Sequence, residues 1–313
     1  MNARLGRGMR MLLPVLTAFA LTLAAVAASA EPDRPLSVRA PRAASAVGQA
    51  SVTACNPKAS SLRPSGPLQV TPGSFMEKIR ARGYLIAGVD QNTYHFGYFN
   101  PANGQIEGFD IDMIKAVARY IGVTKVEYKA ISDDQRIPDV ENGAVDIVAH
   151  TMTILCDRLK YLDFSSVYFE AGQRVLVLKS SKATSLGDLR GQKVCATYGS
   201  DSVARIRAHQ AIAVQVPYWT DCLVLLQQGD VAAISTDDSI LDGLAAQDPW
   251  TMLVGPPLTD EPYGLAISKQ HPDFVRFVNA VLQQQRTDGQ WAASYAHWVG
   301  TPVPAPPPAQ YAG

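Results

Sequence analysis

Arg158 follows the strand-like run Val145 to Ile154, which carries Thr151 and Thr153, in the stretch HTMTILCDR. A guanidinium presents a rigid fork of donors that matches a carboxylate bidentately, so Arg158 is a candidate anion holder. Three further stretches carry polar side chains. GVDQNTYHF supplies Asp90, Tyr94 and Phe96, and ATYGSDS supplies Thr197, Ser200 and Ser202 around Gly199, which lets a backbone come close. ISTDDS supplies Asp237 and Asp238. Singly, each has an ordinary reading: a solvated arginine, helix caps at Ser202 and Asp238, turn aspartates at Asp90 and Asp237. Together they offer an arginine fork with hydroxyls for one carboxylate, and a separate carboxylate for one ammonium. That pairing suits the zwitterion of an α-amino acid.

Such residues need a scaffold that brings them together, and the pattern supplies one. Ser74 and Glu77 form a capping box, and Gly83 stops a helix before the strand YLIAGV. In GFDIDMIKAVARYIGV, the residues Ile114, Val117, Ala118 and Ile121 share a helical face. The strand KVEYKAI, a short helix near IPDVENG and the strand VDIVAH follow. GQKVCATYG with SDSVARIRAH, AVQVPYW with TDCLVLLQQG, and VAAISTD with DSILDGLAAQ repeat the alternation. PYGLAISKQ then reads as a strand before two helices whose aromatics Phe274, Phe277, Trp291, Tyr295 and Trp298 are core. Alternating strand and helix predicts an α/β fold of mostly parallel sheets flanked by helices. Ligands of such sheets collect beyond the carboxyl ends of the strands, beside helix amino termini, where the polar clusters fall.

The first thirty residues read as a secretory signal peptide: Arg4, Arg7 and Arg10, an apolar run from Met11 to Val26, and a cleavage site at Ala28-Ser29-Ala30. An uncleaved anchor is the other reading of that run. No lipid-attachment cysteine stands near the cleavage point, and the product is expected to be an exported, soluble monomer. Removing the leader leaves 25 basic against 28 acidic side chains, a net of about −3. With no basic stripe interleaved with aromatics, nucleic acid is set aside as a partner. Residues 31–73 read as a Pro/Ala/Ser-rich linker unable to bury a core, and 300–313 as a Pro-rich extended tail.

Cys55, Cys156, Cys195 and Cys222 lie in an exported chain without CxxC or Cys/His metal spacing, which favours two disulfides over a metal site. Three pairings are open. Cys195, late in a strand, and Cys222, early in the next helix, can meet within one layer; Cys55 and Cys156 would then staple the linker beside Arg158.

The order GVD, GFDIDMIKAVA, VDIVAHTMTILCDRLKYLDFSSVYF, GQKVCATYGSDS, ISTDDSIL and YGLAISK resembles the polar amino-acid solute-binding proteins of ATP-driven importers, bacterial extracellular solute-binding protein family 3. The likeness covers Phe75 to about Val299 and is similar above all to actinobacterial glutamine/glutamate-binding members, which share the four-cysteine layout and Pro-rich end. The resemblance implies a two-lobed periplasmic-binding-protein fold (type II) with two crossover hinge strands. Lobe one would hold 74–168 and 262–299, and lobe two 172–261. It implies that Arg158 grips the α-carboxylate with Thr153 and backbone amides near Ser200 and Asp201. Asp237 would take the α-ammonium, Thr151 would help through its carbonyl, and Asp90, Tyr94 and Thr197 would line the rest of the pocket. No cofactor is implied; the partner would be an importer permease or a membrane sensor.

Two positions depart from the glutamine binders. Asp133 stands where an aromatic is common and Thr197 where a lysine is common, which leaves the choice among glutamine, glutamate, aspartate and asparagine open. An exported dehydratase on the same fold is the competing enzyme reading, and only His95 and His150 fall near the cleft as candidate acid or base. Retention of Asp237, the amine partner, favours reversible binding.

Overall fold

The computed structural model describes residues 55–312. The leader and most of the 31–73 segment lie outside the described residues. The first helix, α1 (Phe75–Arg82), opens where the Ser74 hydroxyl accepts the Glu77 N–H. The Glu77 carboxylate reaches one residue further back than a capping box requires, to the Gly73 N–H at 2.6 Å.

The first lobe is built on a five-stranded sheet. Its strands are β1 (Tyr84–Val89), β5 (Lys125–Ala130), β6 (Ile147–Ala149), β7 (Leu162–Phe164) and β15 (Ala266–Ser268). They run in the order β5-β1-β6-β15-β7, with β1 parallel to β5 and β6, and β15 antiparallel to β6 and β7. Helix α2 (Phe109–Ile121) covers one face with Phe109, Ile114, Val117 and Ile121, all fully buried. Helices α7 (Pro272–Thr287) and α8 (Gln290–Trp298) close the same core through Phe274, Val278 and Trp291. A second face packs Ile131, Val148, Met152 and Phe164 around the short helix α3 (Arg136–Glu141). A small antiparallel sheet of β2 (Asn92–Thr93), β3 (Gly97–Asn100) and β4 (Gln105–Glu107) extends from the end of β1.

The second lobe repeats the plan. Strands β9 (Gln173–Leu178), β10 (Lys193–Thr197), β11 (Ile212–Val216), β12 (Ala233–Asp237) and β13 (Thr251–Val254) run in the order β11-β10-β12-β9-β13. β10 is parallel to β11 and β12, while β9 is antiparallel to β12 and β13. Helices α4 (Ser202–Ala208), α5 (Trp219–Gln228) and α6 (Asp238–Gln247) flank it. Each sheet is therefore mixed, with a parallel centre and antiparallel strands to one side. The two lobes are joined by β8 (Phe169–Ala171) and β14 (Glu261–Tyr263), an antiparallel pair in which Tyr263 faces Phe169 and Glu261 faces Ala171.

Disulfides join Cys55 to Cys156 and Cys195 to Cys222, with Cα atoms 6.0 and 5.5 Å apart. The second ties β10 to α5 inside the second core. The described part of the segment read as a linker departs from that expectation. Leu62, Leu68 and Val70 pack on the first core, and the Ser61 hydroxyl donates to the Phe164 carbonyl. The tail is likewise laid down: Val303 packs on that core, and Tyr311 forms a parallel bridge with Ser61. Proline-rich composition hides such burial because these segments satisfy their backbone through side chains, Asn279 donating to the Leu62 carbonyl and Arg276 to that of Arg63, rather than through ladders.

Candidate functional site

The strand order reverses beside β1 in the first lobe and beside β10 in the second, so the carboxyl ends of β1 and β6 adjoin in one and those of β10 and β12 in the other. Asp90 follows β1, His150 and Thr151 follow β6, Thr197 ends β10 and Asp237 ends β12. The lobes meet along this line. Gly199 has φ +75°, and a Cβ there would lie 2.7 Å from the Cα of Asp134 in the first lobe; at Gly243 on α6 one would lie 2.6 Å from the carbonyl oxygen of Tyr94. Only glycine permits both approaches.

Arg158 opens a 3-10 turn two residues after the disulfide at Cys156, with its side chain 8 % exposed. Its Nη1 donates to the Thr153 carbonyl at 2.7 Å. Its Nη2 lies 3.2 Å from Asp201 Oδ1 and 3.5 Å from the Gly199 carbonyl, both in the second lobe. Burial, then the nearby Arg136, lower its pKa, and Asp201, Asp133 and Asp237 oppose them. Thr153 thus contributes its backbone to Arg158, while its residue bridges Tyr263.

Asp237 is buried, and its Oδ2 accepts the Tyr263 phenol at 2.6 Å; that phenol also lies 2.7 Å from the Ser239 hydroxyl. Burial, followed by the charges of Asp201 and Glu261, pushes its carboxyl well above the usual range. Glu261, on the crossover strand, is raised to about 7 by burial and by Asp201, and its Oε2 has no hydrogen-bond partner. Asp201, Asp237 and Glu261 thus crowd together here, an environment primed for an incoming cation.

At the other end of the cleft, Asp133 accepts a hydrogen bond from the Thr197 hydroxyl across the lobes and pairs with Arg136 at 3.0 Å. Burial works against its charge, but Arg136, His150 and Thr197 outweigh it and hold the carboxyl below the usual range. His150 donates through one ring nitrogen toward the Ile131 carbonyl at 3.0 Å and sets the other 3.3 Å from Asp133 Oδ1. Asp90 lies 3.9 Å from that ring but is committed to its own turn, accepting the Gln91 and Asn92 N–H groups and the Thr93 hydroxyl. It thereby fixes the loop that presents half-buried Tyr94, whose ring packs on His95 and Tyr98.

Thr151 has φ +43°, ends the strand early, and donates its N–H to Asp110 at 2.8 Å. The Ser200 hydroxyl, one residue before the Asp201 cap of α4, accepts the Ser202 N–H. Asp238 accepts the N–H groups of Ser239 and Gly172, the latter at the mouth of the crossover.

The structure therefore gathers Arg158, Thr153 and Asp201 at one point, Asp237 close by, and Thr197 with Asp133 at another. Asp90, Tyr94, Thr151 and Ser200 shape the surrounding loops. The sequence reading missed Tyr263, Glu261 and Arg136. Tyr263 stands in PYGLAISK, read as a strand and as part of the family resemblance but given no role at the site, and its phenol gains meaning only when the crossover sets it against Asp237. Among the described residues there is no cluster fit for a metal and no helix long and apolar enough to cross a membrane.

Comparison with known proteins agrees with this geometry. The model for bacterial extracellular solute-binding proteins, family 3, matches residues 85–301. The ABC transporter glutamine-binding protein GlnH of Bacillus subtilis (strain 168) is 39 % identical over 226 residues, covering 71 % of this chain and 83 % of that one. Among solved structures, an ancestral arginine-binding protein bound to glutamine superposes with a TM-score of 0.67 at 35 % identity, covering 70 % of this chain and 99 % of that one. AncCDT-1, an ancestral amino acid-binding protein and precursor of cyclohexadienyl dehydratase, gives 0.67 at 34 % identity, covering 72 % and 99 %. With the family model matching most of the described residues, the chain belongs to the bacterial extracellular solute-binding proteins, family 3.

Proposed function

We propose that the protein captures a polar L-amino acid of the glutamate, glutamine, aspartate and asparagine class between its lobes and delivers it to the permease of an ABC importer. The observation that carries this is the opposition of Arg158, a buried guanidinium of the first lobe, and Asp237, a buried carboxyl of the second, within electrostatic reach of each other. Arg158 takes the α-carboxylate with backbone amides near Ser200 and Asp201, and Asp237 takes the α-ammonium. Thr151 and Thr153 hold the loop between them; Asp90, Tyr94 and Thr197 bound the side-chain pocket. The names of the relatives support the ligand class, as one is a glutamine-binding protein and another a protein bound to glutamine.

The extracellular family supports an exported location. Cleavage after Ala30, a monomeric state and an affinity to actinobacterial members, the last resting on the four-cysteine layout and Pro-rich end, complete the proposal. A ligand that binds the closed lobes stabilises them by mass action. Thermal-shift titration against the twenty L-amino acids tests the reading. At about a hundred times its dissociation constant the right ligand adds roughly 2.7 kcal/mol and raises the melting temperature by several degrees. Arg158→Ala is expected to abolish the shift. A wild-type protein that responds to no amino acid refutes the reading.

A further inference from the structure

The partner of Arg158 in the closed arrangement is a carboxylate of the chain itself. Nη1 is taken by the Thr153 carbonyl, and Nη2 faces Asp201 Oδ1 at 3.2 Å with the Gly199 carbonyl at 3.5 Å. Asp201 precedes α4, and its side chain keeps 31 % of its surface exposed, so it is free to turn. Arg205, four residues on along the same helix, lines the same groove as Asp201, together with Asp260 and Glu261. A displaced Asp201 has a second cation at the helix spacing that favours a pair.

We propose that Asp201 is a resident carboxylate on Arg158 that an incoming α-carboxylate must displace, so that this side chain sets the affinity of the site. The inference rests on the assignment of Arg158 as the carboxylate holder. Arg158 also feels Asp133 and Asp237, but among the nearby carboxylates of the described residues only Asp201 accepts a hydrogen bond from its terminal nitrogens. Lobe closure without ligand gains the Arg158–Asp201 pair, and closure with ligand exchanges it for the ligand's own bond. The pair therefore stabilises only the state that competes with binding.

The test is isothermal titration of the mature protein with L-glutamine and L-glutamate, comparing wild type with Asp201→Asn and Asp201→Ser. Both variants keep the backbone amide and remove the charge. Binding tighter than wild type by about fivefold is expected, the scale of a partly exposed ion pair that no longer has to be broken. The melting temperature without ligand should fall at the same time, because the pair is lost there. A residue that merely supports the fold would lower both. If wild type binds and both variants bind equally or more weakly, the inference is overturned and the amino-acid reading survives. If neither wild type nor variants bind, both are overturned.

Discussion

Replacement of Glu261 by glutamine probes the electrostatics of the crossover. Glu261 is 4 % exposed, one of its oxygens is unpaired, and Asp201 and Asp237 stand near it. Burial and the Asp201 charge raise its carboxyl from an ordinary value near 4.5 to about 7. Between those two values the folded chain holds a proton that the unfolded chain has released. The slope of stability with pH is then negative: the contribution is fully present below about pH 4.5 and is lost as pH rises through about 7. At 1.36 kcal/mol per decade, the loss amounts to about 3 kcal/mol. Glutamine cannot ionise and has nearly the same shape, so Glu261→Gln should escape this loss. Carboxyls remote from position 261 titrate alike in both chains and cancel in the comparison. The charge removed also eases Asp237, which shifts the difference in the same direction. Urea unfolding at steps from pH 4.5 to 8 measures it, with stability read from the midpoint at constant slope. Wild type is expected to lose about 3 kcal/mol relative to the variant across that range. Parallel curves for the two chains would refute the argument and place Glu261 in a solvated or ion-paired setting.

Tyr263→Phe removes a phenol that holds Asp237 and Ser239 at once; leaving these buried groups short of a partner should cost about 1–3 kcal/mol, and amino-acid affinity should fall with it. Denaturant unfolding and calorimetric titration read the two effects, and a variant unchanged in both would show that the hydroxyl is incidental. The two disulfides should separate under mild dithiothreitol. Cys55 is exposed and Cys156 half-buried, whereas Cys195 and Cys222 are fully buried, so alkylation followed by mass spectrometry should label the first pair alone in the folded protein. Loss of that link frees a loop spanning 101 residues, worth about 4.7 kcal/mol in the chain-entropy description. Equal labelling of both pairs counts against the packing described here.

The alternation of strands and helices was legible because each element carries its own period and stop signals. Gly83 and Gly122 both end helices in the left-handed conformation, and the apolar face of α2 is buried as its spacing requires. The run from Val145 to Ile154 was legible only in part. Its strand stops at Ala149, since Thr151 turns out of the extended region to give its N–H to Asp110. That choice depends on a carboxylate from another helix and leaves no trace in local propensity. The strand β13 and the small β2-β3-β4 sheet were missed for a related reason, being short and stabilised by neighbours distant in sequence. At the site, residue types that pair by charge, Arg158 and Asp237, could be read off. What each would meet could not: Asp201 on Arg158, Tyr263 on Asp237 and Asp133 on Thr197 are contacts made when two lobes are brought together.

The placement of the described ends has a mechanical consequence. Residues 55 and 312 both lie on the first lobe, and the chain enters and leaves the second through the paired strands β8 and β14. Tension applied between the two ends is carried across the Cys55–Cys156 covalent link, which shields the intervening loop from extension. It then crosses directly from β8 to β14, so the second lobe is bypassed. That lobe bears load only after the crossover pairing shears.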